Sequence, residues 1–162
     1  AKIEIVDASR LSYAVKGCVA CFRCQNSPHY GCTIDDDASR LLTRVPEQDV
    51  LVLATPVYFM GFTAQLKLVV DRMFSLVKLK SDENRIDHAL ARTELALIVT
   101  AGGDEGSGLH LVRQNMEQIA GFLGKKPKIL SCPLVPQDPA ETAARADLRQ
   151  KAEKFGRELA GV

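Results

Sequence analysis

The chain predicts an α/β domain, a doubly wound sandwich in which a mostly parallel sheet carries helices on both faces. Three observations lead there. The runs DVLVLATPVYF from Asp49, ELALIVTAGG from Glu94 and KPKILSCPLV from Lys126 are apolar and rich in β-branched residues, as in strands covered on both faces. Between and after them apolar residues recur at helical spacing, so strands and helices alternate. With 162 residues, 46% of them hydrophobic, the chain is one domain's worth and can bury a core without cross-links. No internal repeat or low-complexity segment interrupts the pattern.

In order, Lys2 to Val6 alternates as K-I-E-I-V and reads as a short strand ended by Asp7. A cysteine-rich loop follows. Asp35, Asp36 and Asp37 then supply negative charge and capping oxygens to a helix with Ala38, Leu41, Leu42 and Val45 as its stripe, closed by Pro46. Three successive Asp also suit a hard cation, but capping is the stronger reading. After the Asp49–Thr55 strand a long helix is predicted from Ala64 to Lys80, with Leu66, Val69, Val70, Met73, Leu76 and Val77 toward the sheet and Leu68 and Leu79 off that stripe. SDENRIDHALART reads as a polar connection. The next helix carries Leu109, Val112, Met116, Ile119, Ala120 and Leu123, with Gly124 as its stop. A last helix from about Ala140 has Ala144, Leu148, Ala152, Phe155 and Leu159 as its inner face.

Lys and Arg number 21 against 20 Asp and Glu, and neither sign forms a block, so the chain lacks the footprint of a nucleic-acid or anionic-membrane binder. No apolar run is long enough to span a bilayer, and AKIEIVDASR is not a signal peptide. A cytoplasmic location, where thiols stay reduced, is the expectation.

The stretch GCVACFRCQNSPHYGC places Cys18, Cys21, Cys24 and Cys32 in a C-x2-C-x2-C-x7-C pattern, four of the five cysteines of the chain. Two-residue gaps turn successive thiolates toward one centre, and the longer gap through Pro28 and Gly31 lets the fourth close the cage. Three closely spaced cysteines suit a [4Fe–4S] cubane. Structural zinc more often uses two separated C-x2-C pairs, and both zinc and a metal-free loop stay open at this point. A disulfide framework does not suit so apolar a chain. His29 reads as a loop residue, and His88 and His110 as exposed or helix-start residues. Cys132 reads as a small core hydrophobe, and Asp71 with Arg72 as ion-pair formers.

In open parallel sheets ligands bind beyond the carboxyl ends of the strands, which draws attention to TPVYFMG and TAGGDEG. Thr55 to Gly61 combines a hydroxyl, a Pro-fixed turn and the aromatic pair Tyr58 and Phe59, while Thr100 to Gly106 offers backbone amides with little side-chain bulk. Two such turns in successive units point to a planar ligand.

The run ATPVYFMGFTAQLKLVVDR from Ala54 to Arg72 resembles the P-V-Y-F-x-x-x-x-A-Q-L-K-x-x-x-D-R segment of flavodoxin-like NAD(P)H-dependent FMN oxidoreductases. The upstream cysteines resemble the compact motif of the iron–sulfur flavoprotein branch. The resemblance implies strand order 2-1-3-4-5, and FMN held by Thr55, Pro56, Val57, Tyr58, Phe59, Thr100, Gly102 and Gly103. It implies a [4Fe–4S] cluster on Cys18, Cys21, Cys24 and Cys32, with NAD(P)H as a candidate substrate. Electrons would pass between a small-molecule or protein donor and acceptor, in a homo-oligomer. No acid–base catalytic residue is called for. Two other readings stand beside it: an NAD(P)H-dependent FMN or quinone reductase without a cluster, and a non-catalytic binding protein whose four cysteines hold structural zinc.

The departure from the family lies at the front. Its members place a strand, a Ser/Arg-containing phosphate loop and a helix before the strand that here is Lys2 to Val6, and this chain opens at Ala1 inside that strand pattern. The expectation is a single N-terminally incomplete domain over residues 1–162, with a Cys-rich insertion at about 16–34. A vacant central slot would leave unpaired edges. Either the missing segment exists outside this chain, the favoured alternative, or Lys2–Val6 shifts to fill the gap.

Overall fold

A computed structural model describes residues 1–80 and 85–162. Two compact units emerge. One comprises Ala1–Glu4, Val52–Thr63 and Leu95–Val162, and the other Ile5–Leu51 and Ala64–Glu94.

The first unit is built on a sheet of order β1-β4-β5, with β1 at Val50–Pro56, β4 at Glu94–Thr100 and β5 at Lys128–Cys132. These are the third, fourth and fifth strands of the expected order, adjacent as that order has them. Strands β4 and β5 run parallel, from Ala96 opposite Lys128 to Thr100 opposite Cys132. Leu95, Ala96, Leu97 and Val99 are almost fully buried, as the unbroken apolar run requires of a central strand. Strand β1 departs from that expectation. Leu53 and Thr55 are buried, but Val52, Ala54 and Pro56 are exposed, because β1 stands at the end of the sheet order and only one of its faces is covered among the described residues.

Helix α4 at His110–Phe122 packs Val112, Met116 and Ala120 inward, with Leu109 and Leu123 buried at its two ends. Its C-terminus is closed as the sequence predicts. Gly124, at φ +64°, donates to the Gly121 carbonyl while Lys125 N–H reaches back to Ala120 O at 2.8 Å, a Schellman motif. The last predicted helix is two helices, α5 at Pro139–Ala144 and α6 at Ala146–Ala160. Arg145 breaks them with ψ near +103°, and its guanidinium pairs with Asp147 at the start of α6. Leu148 and Phe155 are buried, whereas Ala144 and Ala152 are exposed.

The second unit holds the cysteine loop, α1 at Arg23–Asn26, α2 at Asp37–Arg44, α3 at Ala64–Val70 and a hairpin of β2 at Val77–Lys80 with β3 at Arg85–His88. Helix α2 forms where the Asp run predicts it. The Asp36 carboxylate accepts the Ser39 amide at 2.9 Å, and Ala38, Leu42 and Val45 are buried. The long Ala64–Lys80 helix is not formed. It ends at Val70, tightens into a 3₁₀ run over Asp71–Leu76, and turns extended at Val77. The apolar spacing survives this change, since Val69, Val70, Met73, Leu76 and Val77 are all buried. From Val77 the period is two instead: Val77 pairs with His88 and Leu79 with Ile86 in an antiparallel ladder, and Leu79 stays exposed. Part of the predicted polar connection is thus a strand, while its residues 81–84 lie outside the described ones.

Lys2 to Val6 forms no strand among the described residues, and Ile3 and Ile5 are largely exposed. Alternation alone does not make a strand, because an extended segment also needs a neighbouring strand to form a ladder with.

Candidate functional site

At the carboxyl end of β1 the chain makes a two-residue turn. Tyr58 and Gly61 exchange backbone hydrogen bonds at 3.2 and 3.1 Å, and the two residues between them, Phe59 and Met60, sit at φ +45° and +67°. This geometry suits Asn and Gly, and each bulky residue held in it costs about 1–2 kcal/mol. The strain persists because the turn is fixed on both sides. Val57 N–H donates to Thr100 O at 2.7 Å, and the turn packs on Gly108, where an added Cβ would come within 2.9 Å of Val57 and 3.0 Å of the Met60 sulfur. The outcome is two exposed aromatic rings, Tyr58 and Phe59, beside the end of the sheet.

Thr55 is buried and turned inward. Its hydroxyl donates to Pro56 O at 2.8 Å and accepts the Thr63 amide at 3.2 Å, so it braces the turn. After β4, Ala101 and Gly103 are tied to the segment beyond β5. Ala101 N–H donates to Cys132 O, Val135 N–H to Ala101 O and Leu134 N–H to Gly103 O, all at 2.9–3.0 Å. Gly102 is exposed. At Gly103 a Cβ would lie 2.3 Å from Ser107 Oγ and 2.5 Å from its Cβ. Ser107 belongs to an irregular π-type turn over Glu105–Leu109 that leads into α4. Replacing Gly103 by Ala is expected to destabilise the fold by about 1–3 kcal/mol, as overpacking does. Adding Ser107→Gly should recover most of that loss in urea unfolding.

The cysteines stand in the second unit. Cys18, Cys21, Cys24 and Cys32 are all free, and all four line one concavity of about 390 Å³ including its open mouth. Val19, Phe22, Ile34 and Phe74 supply apolar walls, with Phe22 and Phe74 edge to face at 6.1 Å. Cys18 and Cys21 are exposed and Cys24 is buried on α1. The loop is turned by two left-handed residues that are not glycine, Ala20 at φ +50° and Phe22 at φ +54°, a form of strain that functional loops retain. The thiols are not drawn into a ligand cage, for no group of three or more His, Cys, Asp or Glu is arranged to hold a metal ion among the described residues.

Four side chains that the sequence reading did not connect with the cysteines hold this loop. Gln25 reaches β2, donating to Val77 O at 2.8 Å and accepting the Leu79 amide at 3.1 Å. The Lys78 ammonium donates to the carbonyls of Cys24, Ser27 (2.8 Å) and His29 (3.0 Å), so three carbonyls of the loop converge on one cation. Ser39 Oγ donates to Cys32 O at 2.7 Å. Arg72 is buried at 1% side-chain exposure and pairs with Asp36 at 2.6 Å while donating to Ile34 O at 3.1 Å. None of these partners is close in sequence to Gln25, Lys78 or Arg72, which is why spacing did not reveal them. Lys78→Met should leave the three carbonyls without their donor and cost about 1–3 kcal/mol. Faster proteolysis between Cys18 and Cys32 would report it.

The remaining expectations sort simply. Asp71 pairs with Lys67 on α3, and Arg72 pairs elsewhere. Cys132 is buried in β5, and burial raises its thiol pKa. The Cys21 thiol is lowered, first by the Arg23 backbone amide and then by the Arg23 side chain. His29 is exposed, His110 begins α4, and His88 Nδ1 is buried without a hydrogen-bond partner. No helix among the described residues is long and apolar enough to cross a membrane.

Several known proteins are similar to this chain. An iron–sulfur flavoprotein of Methanocaldococcus jannaschii is 40% identical over 70 residues, 43% of this chain and 36% of that protein. One from Archaeoglobus fulgidus is 31% identical over 102 residues, 63% of this chain and 48% of that protein. The chain therefore spans about half or less of the length of these curated relatives. Among solved structures, an FMN-dependent NADH-azoreductase of Bacillus anthracis, in complex with FMN, superposes with TM-score 0.55 at 16% identity, over 76% of this chain and 60% of that one. The Trp repressor binding protein of Bacillus subtilis gives 0.56 at 21%, over 76% and 71%. At such identities the superpositions speak for the fold alone. The match to a family profile extends over residues 3–155, nearly the whole chain, and with the β1-β4-β5 order it establishes that the chain belongs to the family of the flavodoxin-like fold.

Proposed function

We propose that this protein is a flavin-dependent oxidoreductase that passes electrons between FMN and a [4Fe–4S] cluster held by Cys18, Cys21, Cys24 and Cys32. The observation that carries the reading is the convergence of the four free cysteines on one concavity, in a chain of the flavodoxin-like family. The names of the curated relatives support it. When bound, FMN exchanges two electrons or one and the cluster exchanges one at a time, so together they connect two-electron and one-electron partners.

The residues fit both groups. Tyr58 and Phe59 offer exposed aromatic surface at the strand ends, on a turn held in a strained conformation. Pro56, Val57, Thr100, Gly102 and Gly103 bring backbone to the same edge, with Thr55 as the brace behind it. At the loop, four thiols supply the soft donors that iron–sulfur centres take, and two buried polar atoms in the lining, Arg72 Nε and Ser75 Oγ, lack any protein hydrogen-bond partner. On this reading the donor and acceptor are small molecules or redox proteins, NAD(P)H among the candidates, and the protein works in the cytoplasm as a homo-oligomer.

An absorption spectrum of the anaerobically purified full-length protein, before and after dithionite, tests the proposal. Structured flavin bands over a broad visible absorption that bleaches are expected. Flavin bands alone would overturn the cluster and leave the second reading, an NAD(P)H-dependent FMN or quinone reductase. The name of one relative, an FMN-dependent NADH:quinone oxidoreductase of Thiobacillus denitrificans, supports that reading.

A further inference from the structure

The cysteine concavity contains more than cysteines. Arg72 and Ser75 line it, each at most 3% exposed, and each leaves a donor unused: Arg72 Nε–H and Ser75 Oγ–H meet no hydrogen-bond partner in the protein. Orphaned donors at such depth are uncommon, because each forfeits its hydration without replacement. Both terminal nitrogens of Arg72 have partners. One terminal nitrogen donates to Asp36 at 2.6 Å and the other to Ile34 O at 3.1 Å, which fixes the plane of the guanidinium. Asp36 is itself held by the amides of Ser39 and Ala14, so the pair cannot easily turn.

We propose that Arg72 and Ser75 are positioning residues of the thiolate centre, donating through Nε–H and Oγ–H to its sulfur atoms and making the centre easier to reduce. The inference rests on the cluster reading above. Its physical basis is charge. Reduction by one electron, supplied in the test below by dithionite, adds negative charge to a centre already built on thiolates, and donors with a fixed cation favour the more negative state. Asp36 neutralises Arg72 from another edge, leaving the guanidinium with its Nε–H uncommitted. A purely structural Arg72–Asp36 tie would need no donor left over on the same guanidinium, and it gives no account of the unpartnered Ser75 hydroxyl.

The test uses full-length protein reconstituted anaerobically with iron and sulfide, comparing the parent with Ser75→Ala and Arg72→Lys. Iron content, circular dichroism and the midpoint potential of the bleachable absorption are measured in each. Ser75→Ala is a small change expected to fold and load like the parent. Arg72→Lys keeps the positive charge but loses the Nε–H donor. Both should shift the midpoint to lower potential with iron content retained. A folded Arg72→Lys protein that no longer holds iron also supports the role. A loaded variant at the parent potential overturns the assignment for its residue, and if Arg72→Lys does not fold, Ser75→Ala decides alone. A parent without bleachable absorption refutes the cluster reading itself, and this inference with it. That result is distinct from a loaded parent whose variants do not differ.

Discussion

Asp36→Ala should lower the stability of the protein by about 3–5 kcal/mol, read from urea or thermal unfolding followed by circular dichroism. The magnitude is that of breaking a buried ion pair by removing one partner. Arg72 would be left with its charge, 1% exposed, and no carboxylate. Two further losses lie in the same direction: the cap on α2, where Asp36 accepts Ser39 N–H, and the tie to the Ala14 amide at 3.0 Å. The buried charge dominates, so removing it as well changes the outcome. The double variant Asp36→Asn with Arg72→Met keeps a capping oxygen and an apolar body of similar length, and should be more stable than Asp36→Ala. A double variant no better than Asp36→Asn alone would show that the unpaired Arg72 charge does not carry the effect.

The same carboxylate sets an acid limb. Burial pushes the Asp36 pKa upward, but the Arg72 guanidinium and the amides of Ser39 and Ala14 more than offset this and hold it below the ordinary 3.8. A carboxylate depressed in the folded state stabilises the protein fully above its unfolded pKa of about 4, and loses that contribution as pH falls through the lower folded value. Parent stability should therefore decline steeply below about pH 4. Asp36→Asn should show a shallower decline over the same range.

What the sequence revealed follows from how local each cause is. The Asp36 cap, the Gly124 stop and the Leu95–Val99 run depend on neighbours a few residues away, and each is present where its pattern places it. The hairpin of β2 and β3 escaped notice because Val77 satisfies two periods at once. It continues the helical series Val69, Met73 and Leu76, and it also begins the alternation Val77, Leu79. Only pairing with Arg85–His88 decides between them. The turn at Phe59 and Met60 lacks the Asn or Gly that marks such turns, since its strain is held by Gly108 and Thr100, more than forty residues onward. The Cys motif was legible as chemistry from spacing alone. Its supports, Gln25, Lys78, Arg72 and Ser75, act through partners that only the folded chain brings near.

On the proposed cluster reading, Cys24→Ser should abolish stable iron binding, with metal affinity reduced by on the order of 100-fold or more, since loss of an outer-shell partner alone costs 10–100-fold. Cys24 is the most sensitive of the four to choose. It is buried at 8% exposure, it sits on α1 where its backbone is held by Lys78, and the Gln25 amide lies 3.7 Å from its sulfur. A serine hydroxyl is a harder donor that does not ionise near neutrality, so it replaces the thiolate in shape but not in chemistry. Shape is retained, so circular dichroism should match the parent, with unfolding lowered by no more than about 1–3 kcal/mol for the buried hydroxyl. Cys132→Ser is the matching control: the residue is equally buried, in β5 and outside the motif, and its replacement should leave iron content untouched. Measured side by side after anaerobic reconstitution, loss of iron in Cys24→Ser with retention in Cys132→Ser assigns the metal to the loop. Equal iron content in both variants would mean that the four cysteines do not hold it. Flavin content gives the second reading of the same experiment, because Tyr58, Phe59 and the Thr100–Gly103 backbone are unaltered by either substitution. Flavin retained at the parent level in an iron-free Cys24→Ser protein would show that the two groups are held by separate parts of the chain, and would make this variant suitable for measuring hydride transfer to flavin with the one-electron route removed.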